Sequence, residues 1–261
     1  MHKPWRLTIW ISLILLSVPV AAVHAASKPL LIVRAEGFFP PHEMLQQDQL
    51  TGANIDLIEA AAARMHIQVV FKTYPWLRAI NMLKKGEADA ISYLGKSAER
   101  EDFAYFEEGN RLAFVQNGFF TLKHTDPPIA YSGNMKQLEP YTIGFIRGRR
   151  SYPDFDQATF LTKDENARDE EQLLNMLLVK RFEVAMAPIA RVKYIAKQMK
   201  IDNQLVYLQP VASTIPTYLA FAKAKGHGPL AKEFAQAMAT VKQSHQFQDI
   251  LKKYDVEPGD Y

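Results

Sequence analysis

The chain has 261 residues, with 31 Lys and Arg against 28 Asp and Glu, and no cysteine. The basic residues are spread along the chain and nearly balanced by acidic ones, which argues against nucleic acid as a partner. Without cysteine the fold has no disulfide bonds and depends on its hydrophobic core, which this length permits for one domain or for two lobes.

The N-terminal segment predicts a secretory signal peptide over residues 1–25. Two basic residues precede the apolar range 7–20, and small residues follow up to Ala25. The apolar range is shorter than the roughly 20 residues that a membrane-spanning helix needs, which favours cleavage after Ala25 over a membrane anchor. Cleavage removes two of the 31 basic residues, leaving 29 against 28 acidic ones and no thiol to carry a lipid. We therefore expect a periplasmic protein without a lipid anchor.

Strand-like runs alternate with helical patterns through the remaining sequence, which is typical of an α/β fold with mostly parallel sheets. The first set of predicted elements comprises strands at 30–37, 67–74 and 88–94 and helices at 55–65 and 76–86. The second set comprises strands at 142–148, 159–163 and 183–187, and helices from about Ser151, at 169–182 and at 189–199. The two halves are therefore alike in organisation.

Two long extended segments, 113–128 and 205–223, flank the second set of elements. This arrangement predicts a two-stranded hinge near 119–124 and 211–217, through which the chain passes to a second lobe and back. Lobe 1 is then expected to comprise residues 26–120 and 217–261, including the helices predicted at 229–254, and lobe 2 residues 121–216. The alternative is a single large sheet, because spacing alone does not separate the two topologies.

Four stretches carry a resemblance to a known family: GFFPPHEM with LTGANIDLIEAAAARM, YPWLRAINMLKKGEADAISYLGKSAERED, TIGFIRGRRSYPDF and KRFEVAMAP. In this order and spacing they resemble the bacterial extracellular solute-binding proteins of the polar amino acid type, family 3. The resemblance covers essentially the whole predicted mature chain. It implies a two-lobe periplasmic binding protein fold with a ligand cleft between the lobes, a small-molecule ligand and no cofactor.

The resemblance implies that Arg100, at the end of the Ser97–Arg100 turn, binds the carboxylate of the ligand. A guanidinium offers a planar fork of donors that fits a carboxylate and stays charged at any periplasmic pH. The alternative for Arg100 is a surface ion pair with Glu99 or Asp102.

Other candidates in lobe 1 follow from their places at strand and helix ends. Phe38 comes at the end of the first strand, where open α/β sheets place ligands, although it could instead pack in the core or exchange roles with Phe39. Trp76 opens a predicted helix and either lines the cleft or is buried. Three hydroxyl groups lie at or after the end of the third strand, those of Ser92, Tyr93 and Ser97.

In lobe 2, Ser151 and Tyr152 follow Gly148 at a predicted helix start. Backbone N–H groups at such a position suit an anionic ligand group. Arg149 and Arg150 add positive charge there, or are simply solvated. Together with Arg100, this turn favours an anionic ligand.

One position departs from the family's pattern. Where the amino acid binders have an aspartate for the ligand's ammonium group, this chain has Pro188 with Ala187 before it. Either Glu36 or Glu43 supplies the missing negative charge, or the ligand is not an ordinary α-amino acid.

The sequence favours a binding protein over an enzyme. It contains no G-x-S-x-G, S-x-x-K, Walker or G-x-G-x-x-G motif and no paired metal spacing of histidines. One alternative is an enzyme, because the same fold is found in a dehydratase whose substrates are cyclohexadienyl acids. Glu36 or Glu43 would then be the catalytic acid. We expect a monomer that docks on an inner-membrane ABC permease, or alternatively on a sensor receptor, and that works by closing its lobes on the ligand.

Overall fold

The computed structural model describes residues 28–37, 39–148 and 152–261. The predicted signal peptide lies outside these ranges. The strands are β1 (Leu30–Ala35), β2 (Met44–Gln46), β3 (Gln49–Thr51), β4 (Val69–Tyr74), β5 (Ala90–Gly95), β6 (Ala104–Tyr105), β7 (Arg111–Leu122), β8 (Thr142–Ile146), β9 (Thr162–Ala167), β10 (Val184–Pro188), β11 (Leu205–Tyr207) and β12 (Ser213–Ala222). The helices are α1 (Ala53–Arg64), α2 (Trp76–Lys84), α3 (Ala98–Glu101), α4 (Pro153–Gln157), α5 (Glu170–Leu178), α6 (Ile189–Gln198), α7 (Gly228–Lys242) and α8 (His245–Tyr254).

Ten strands form one sheet in the order β4-β1-β5-β12-β7-β10-β8-β9, with β6 paired to β12 and β11 paired to β7. Pairing is parallel inside each lobe, between β1 and its neighbours β4 and β5, and between β8 and its neighbours β9 and β10. The two long strands β7 and β12 join these parallel sets through antiparallel pairs. The mixed α/β class is thus confirmed, and the two lobes share one sheet.

Lobe 1 packs helices on both faces of its sheet because the strand residues alternate in direction. Ile32 belongs to a core cluster with α1, α7 and α8, whereas its neighbour Val33 packs in a second cluster with α2. In the first cluster the rings of Phe221 and Phe234 pack together, with their centroids 5.4 Å apart. The helices after β12 thus complete the lobe that the N-terminal strands begin.

Lobe 2 repeats this alternation on β10. Ala185 packs in a cluster with α5 and α6, whereas Met186 packs in a cluster with Phe155 of α4. Asp169 caps α5, since its side chain accepts a 2.8 Å hydrogen bond from the backbone N–H of Gln172. Gly144 is needed where the ring of Phe182 crosses β8, because a Cβ there would lie 2.2 Å from the ring.

The linking strands run side by side where the chain passes between the lobes. Asn117 of β7 is opposite Ser213 of β12, and its side-chain amide donates to the Ser213 hydroxyl at 3.0 Å. Beyond this point β7 pairs with β10 in lobe 2, whereas β12 pairs with β5 in lobe 1.

The lobes also contact each other through α6. The Nζ atom of Lys197 is 2.7 Å from a carboxylate oxygen of Asp255, which follows α8 in lobe 1. Tyr194 packs against the lobe 1 core cluster. The two lobes are therefore in contact on the side of α6.

Three local expectations need correction. The strand expected at 159–163 is β9 at 162–167, because Leu161 is buried in the lobe 2 core whereas the polar strand lies at the sheet edge. The helix expected from Ser151 begins at Pro153 and has five residues. The β2–β3 hairpin was not predicted, since its turn contains no glycine and leaves Gln47 and Asp48 with positive φ.

No helix in the described ranges is long and apolar enough to cross a membrane.

Gly52 provides a test of how the loop before α1 is built. Its φ is +136°, and a Cβ on it would lie 2.1 Å from the carbonyl oxygen of His42. We expect Gly52→Ala to lower the free energy of unfolding by about 2 kcal/mol, because backbone atoms must move and the residue is strained. Urea unfolding measures this, with Gly259→Ala as the control, since a Cβ on Gly259 meets nothing within 4 Å. Equal losses in both variants would contradict this account.

Candidate functional site: a cavity between the lobes

A cavity of about 280 Å³ lies where both lobes meet the linking strands. Its size is at the lower end of the range for small-molecule sites. Lobe 1, the linking strands and lobe 2 all contribute residues, which are Phe39, Pro40, His42, Tyr93, Phe114, Val115, Gln116, Asn117, Ile215, Pro188, Ala190 and Arg191.

The lobe 1 wall follows β1 and is held by a buried ion pair. The Nε atom of Arg34 is 3.0 Å from a carboxylate oxygen of Glu43, and both side chains are 1% exposed. The other two guanidinium nitrogens donate to the Thr73 hydroxyl at 3.2 Å and to the Gly37 carbonyl at 3.1 Å. Burial raises the pKa of Glu43, and the charge of Arg34 opposes that rise. The pair thus fixes both ends of the segment that carries Phe39 and His42.

His42 is buried in this wall as a neutral side chain. Burial lowers the pKa of its imidazole from 6.5 to about 4. Its Nδ1 atom is 3.1 Å from the hydroxyl of Tyr261, which donates to the Asn54 side-chain oxygen at 2.8 Å. The ring therefore contributes polarity to the cavity but no positive charge near neutral pH.

Tyr93 lies where the sequence analysis expected a ligand contact, at the cavity. Its ring centroid is 5.7 Å from that of Phe39 and 5.6 Å from that of His42. Its φ of +57° is unusual for a tyrosine, and strain of this kind is concentrated at functional sites. Ser92 is buried beside it, and its hydroxyl lies against the carboxylate of Glu43 and opposes the burial that raises the pKa of that group.

Arg100 and two other predicted residues lie together, next to the cavity. Its Nη1 atom donates to the Gly95 carbonyl at 2.7 Å, and its guanidinium carbon is 5.2 Å from the ring centroid of Trp76. Ser97 caps α3 by accepting from the backbone N–H of Arg100. A Cβ on Gly95 would lie 3.3 Å from Arg100 Nη1 and 3.7 Å from Ile215, a lining residue. Trp76 is 39% exposed, so core burial does not describe it.

Of the lobe 2 residues predicted for the site, Tyr152 lies in the described ranges, and its side chain contacts Met135 and Phe155. Phe38, Arg149, Arg150 and Ser151 lie outside the described ranges. The Tyr152 hydroxyl donates to the Met135 sulfur at 3.2 Å, and its ring stacks on Phe155 inside the lobe 2 core cluster. These ligand roles stay predictions.

Arg191 was missed by the sequence analysis. It lies in the first turn of α6, with its guanidinium carbon 5.3 Å from the ring centroid of Phe39 across the cleft. Its Nε atom is 3.0 Å from a carboxylate oxygen of Glu170, whose side chain is 2% exposed. Its position could have indicated it, because Arg191 follows closely on Pro188, which replaces the family's aspartate at a strand end expected to face the ligand.

Of the two acids considered as counter-charges, neither lines the cavity. Glu36 is exposed in the bend after β1. The carboxylate of Glu43 is paired with the guanidinium of Arg34.

Two lobes joined by paired strands, with a cavity between them, define a ligand-binding protein of the periplasmic type. A family model described as bacterial extracellular solute-binding proteins, family 3, matches residues 31–257, and the chain belongs to this family. This confirms the resemblance found in the sequence. No curated protein matches the chain.

Solved structures similar to this chain share its fold at low sequence identity. The second substrate binding domain of a putative amino acid ABC transporter from Streptococcus pneumoniae is 19% identical over 86% of this chain and 99% of its own, with a TM-score of 0.66. The probable amino-acid ABC transporter extracellular-binding protein ytmK from Bacillus subtilis is 17% identical over 87% and 98%, with a TM-score of 0.68. A histidine kinase sensor domain is 18% identical over 86% and 95%, with a TM-score of 0.63.

Proposed function

We propose that this protein captures a small carboxylate-bearing solute by closing its two lobes and delivers it to an ABC permease. The observation that carries the proposal is the cavity between the lobes, because its walls come from lobe 1, lobe 2 and the linking strands together. A solute there would contact both lobes at once and would favour closure by as much as it binds the closed form more tightly. The ion pair between Lys197 and Asp255 would add to the closed state.

Lobe closure can be tested by small-angle X-ray scattering of the mature protein, refolded to remove any bound solute. Solutes are first screened by thermal shift, since one present at about a hundred times its dissociation constant adds roughly 2.7 kcal/mol to stability. A solute that raises the melting temperature should also lower the radius of gyration. Binding without any compaction would contradict the closure mechanism.

We place the protein in the periplasm as a monomer after cleavage of its signal peptide. The family's extracellular members and the N-terminal sequence support this location. Export and cleavage are tested by N-terminal sequencing of the periplasmic fraction, where a mature chain beginning at Ala26 is expected.

The main alternative is a ligand sensor for a membrane receptor, since a histidine kinase sensor domain shares the fold. Transport predicts that deletion of the gene abolishes uptake of the bound solute. Sensing predicts intact uptake and loss of a transcriptional response to the solute. A dehydratase is less well supported, because its acid would have to reach the cavity, whereas Glu43 is paired with Arg34 and Glu36 is exposed.

Arg100 supplies the sharpest test of the site. We expect Arg100→Ala to weaken binding of a carboxylate solute at least about 100-fold, because losing one partner of a desolvated charge pair has effects of this order. The fold should be unchanged, since the Arg100 side chain donates to the Gly95 carbonyl and otherwise packs on Trp76, a partly exposed ring. Isothermal titration calorimetry measures the affinity, with Arg78→Ala as the control, an exposed arginine of the same lobe. Unchanged affinity in Arg100→Ala would refute this role.

A further inference from the structure

The cavity between the lobes has no carboxylate in its walls. None of its described lining residues is Asp or Glu. All 28 acidic residues of the chain lie in the described ranges, because residues 1–27, Phe38 and the 149–151 segment include none. The absence of an acidic wall residue therefore holds for every Asp and Glu in the sequence.

Three acids lie next to lining residues, and each faces a cation of the protein. Glu43 follows His42 and is 3.0 Å from the guanidinium of Arg34. Glu170 is 3.0 Å from the guanidinium of Arg191.

Burial raises the pKa of Tyr93, and the charges of Glu43 and of the third acid, Asp260, add to that rise. Lys193 opposes the charge of Asp260 as the arginines oppose those of Glu43 and Glu170, so all three charges are offset before a ligand arrives. An ammonium group in the cavity would have to leave water without a free negative partner, which is unfavourable.

The walls instead favour a negative group beside an apolar one. Arg191 lines the cavity whereas its partner Glu170 does not, so this ion pair presents its positive end to the ligand. Arg191 is also in the first turn of α6, at the positive end of the helix dipole. The rings of Tyr93 and Phe114 supply apolar surface. Phe39 already carries the Arg191 guanidinium over its ring, so that face does not receive an ammonium group.

We infer that this cavity selects a small monocarboxylic acid with an apolar body and without an ammonium group. The inference rests on the proposed solute-binding function and names the class of its ligand. The cavity of about 280 Å³ suits a body of the size of a branched aliphatic or single-ring side chain.

The test compares ligands that share a carbon skeleton and differ in the α-ammonium group. We would titrate refolded protein by calorimetry with L-phenylalanine against 3-phenylpropanoate, L-leucine against 4-methylpentanoate and L-valine against 3-methylbutanoate. The expected result is that at least one acid binds at least tenfold more tightly than its amino acid and that no pair shows the reverse. An amino acid that binds as tightly as its partner, or more tightly, overturns the inference and leaves the proposed function standing.

A result in which none of the six ligands binds is also informative. If another solute from a wide panel binds and closes the lobes, the inferred ligand class is wrong and the solute-binding function survives. If no solute binds, both fail.

Pro188 allows the selectivity to be changed on purpose. It lines the cavity from lobe 2, opposite Asn117 on β7. Pro188→Asp places a carboxylate at this wall, and Pro188→Asn is the uncharged control of the same shape. We expect the Asp variant to shift the ratio of affinities toward the amino acid at least tenfold relative to the Asn variant. Circular dichroism verifies that both are folded, and an equal ratio in the two variants counts against the inference.

Discussion

Arg34→Met is expected to lower the free energy of unfolding by about 3 to 5 kcal/mol, because it leaves Glu43 buried without its charged partner. The same change removes the hydrogen bonds to the Thr73 hydroxyl and the Gly37 carbonyl. Urea unfolding at pH 7, followed by circular dichroism, measures the loss. Since Arg34 and Glu43 fix the segment that carries Phe39 and His42, solute affinity should fall as well.

Two further variants show whether the unpaired charge is the cause. The double variant Arg34→Met/Glu43→Leu should regain much of the lost stability, because an apolar pair of similar volume replaces the buried ions. Arg181→Met breaks the ion pair of a half-exposed arginine with Asp164 and should have a smaller effect, because solvent screens this pair more than the buried one. If Arg34→Met and Arg181→Met lower the free energy of unfolding by similar amounts, the buried pair does not stabilise the cavity wall.

His42 should make the protein lose about 3 kcal/mol of stability between pH 8 and pH 4. The folded pKa of about 4 lies below the unfolded value of 6.5, so the unfolded chain takes up a proton first as the pH falls. The contribution is therefore fully present above pH 6.5 and is lost progressively down to pH 4. Urea unfolding across this range measures it.

The variant His42→Asn isolates this contribution from the other titrating groups. It is expected to be less stable than the wild type at pH 8, because it leaves a void beside Tyr261, yet to lose about 3 kcal/mol less on acidification. His124→Asn, at an exposed histidine, should keep the wild-type pH dependence. A wild-type pH profile in His42→Asn would exclude His42 as the source.

Much of the fold could be predicted from local patterns. The helices α1, α2, α5 and α6 and the strands β1, β4, β5, β8 and β10 lie within a few residues of their predicted places. Most of them combine a clear period with a Gly or Pro boundary, and α5 begins at its N-cap Asp169. Edge elements were harder. β9 is polar and is stabilised by pairing with β8 rather than by its own side chains, so its sequence resembles a loop.

The site divides in the same way. Ser97 and Arg100 lie at the cap and in the first turn of α3, where a motif can mark them, and Tyr93 lies in β5, close to its predicted place. Arg191 depends on tertiary structure, because it reaches the cavity only when α6 crosses the cleft to Phe39. The burial of Glu43 and His42 also depends on tertiary structure, since β1, β5 and α1 pack around them.

The continuous sheet sets how the lobes can move. Strand β7 pairs with strands of lobe 2, strand β12 pairs with strands of lobe 1, and the two also pair with each other. The lobes would therefore separate through a change of twist that is spread over many backbone dihedral angles. Such a motion keeps the backbone hydrogen bonds between the linking strands. Phe114, Gln116 and Asn117 belong both to this twisting region and to the cavity wall. Under the proposed lobe closure, the residues that take up the change of twist are therefore the same ones that line the cavity.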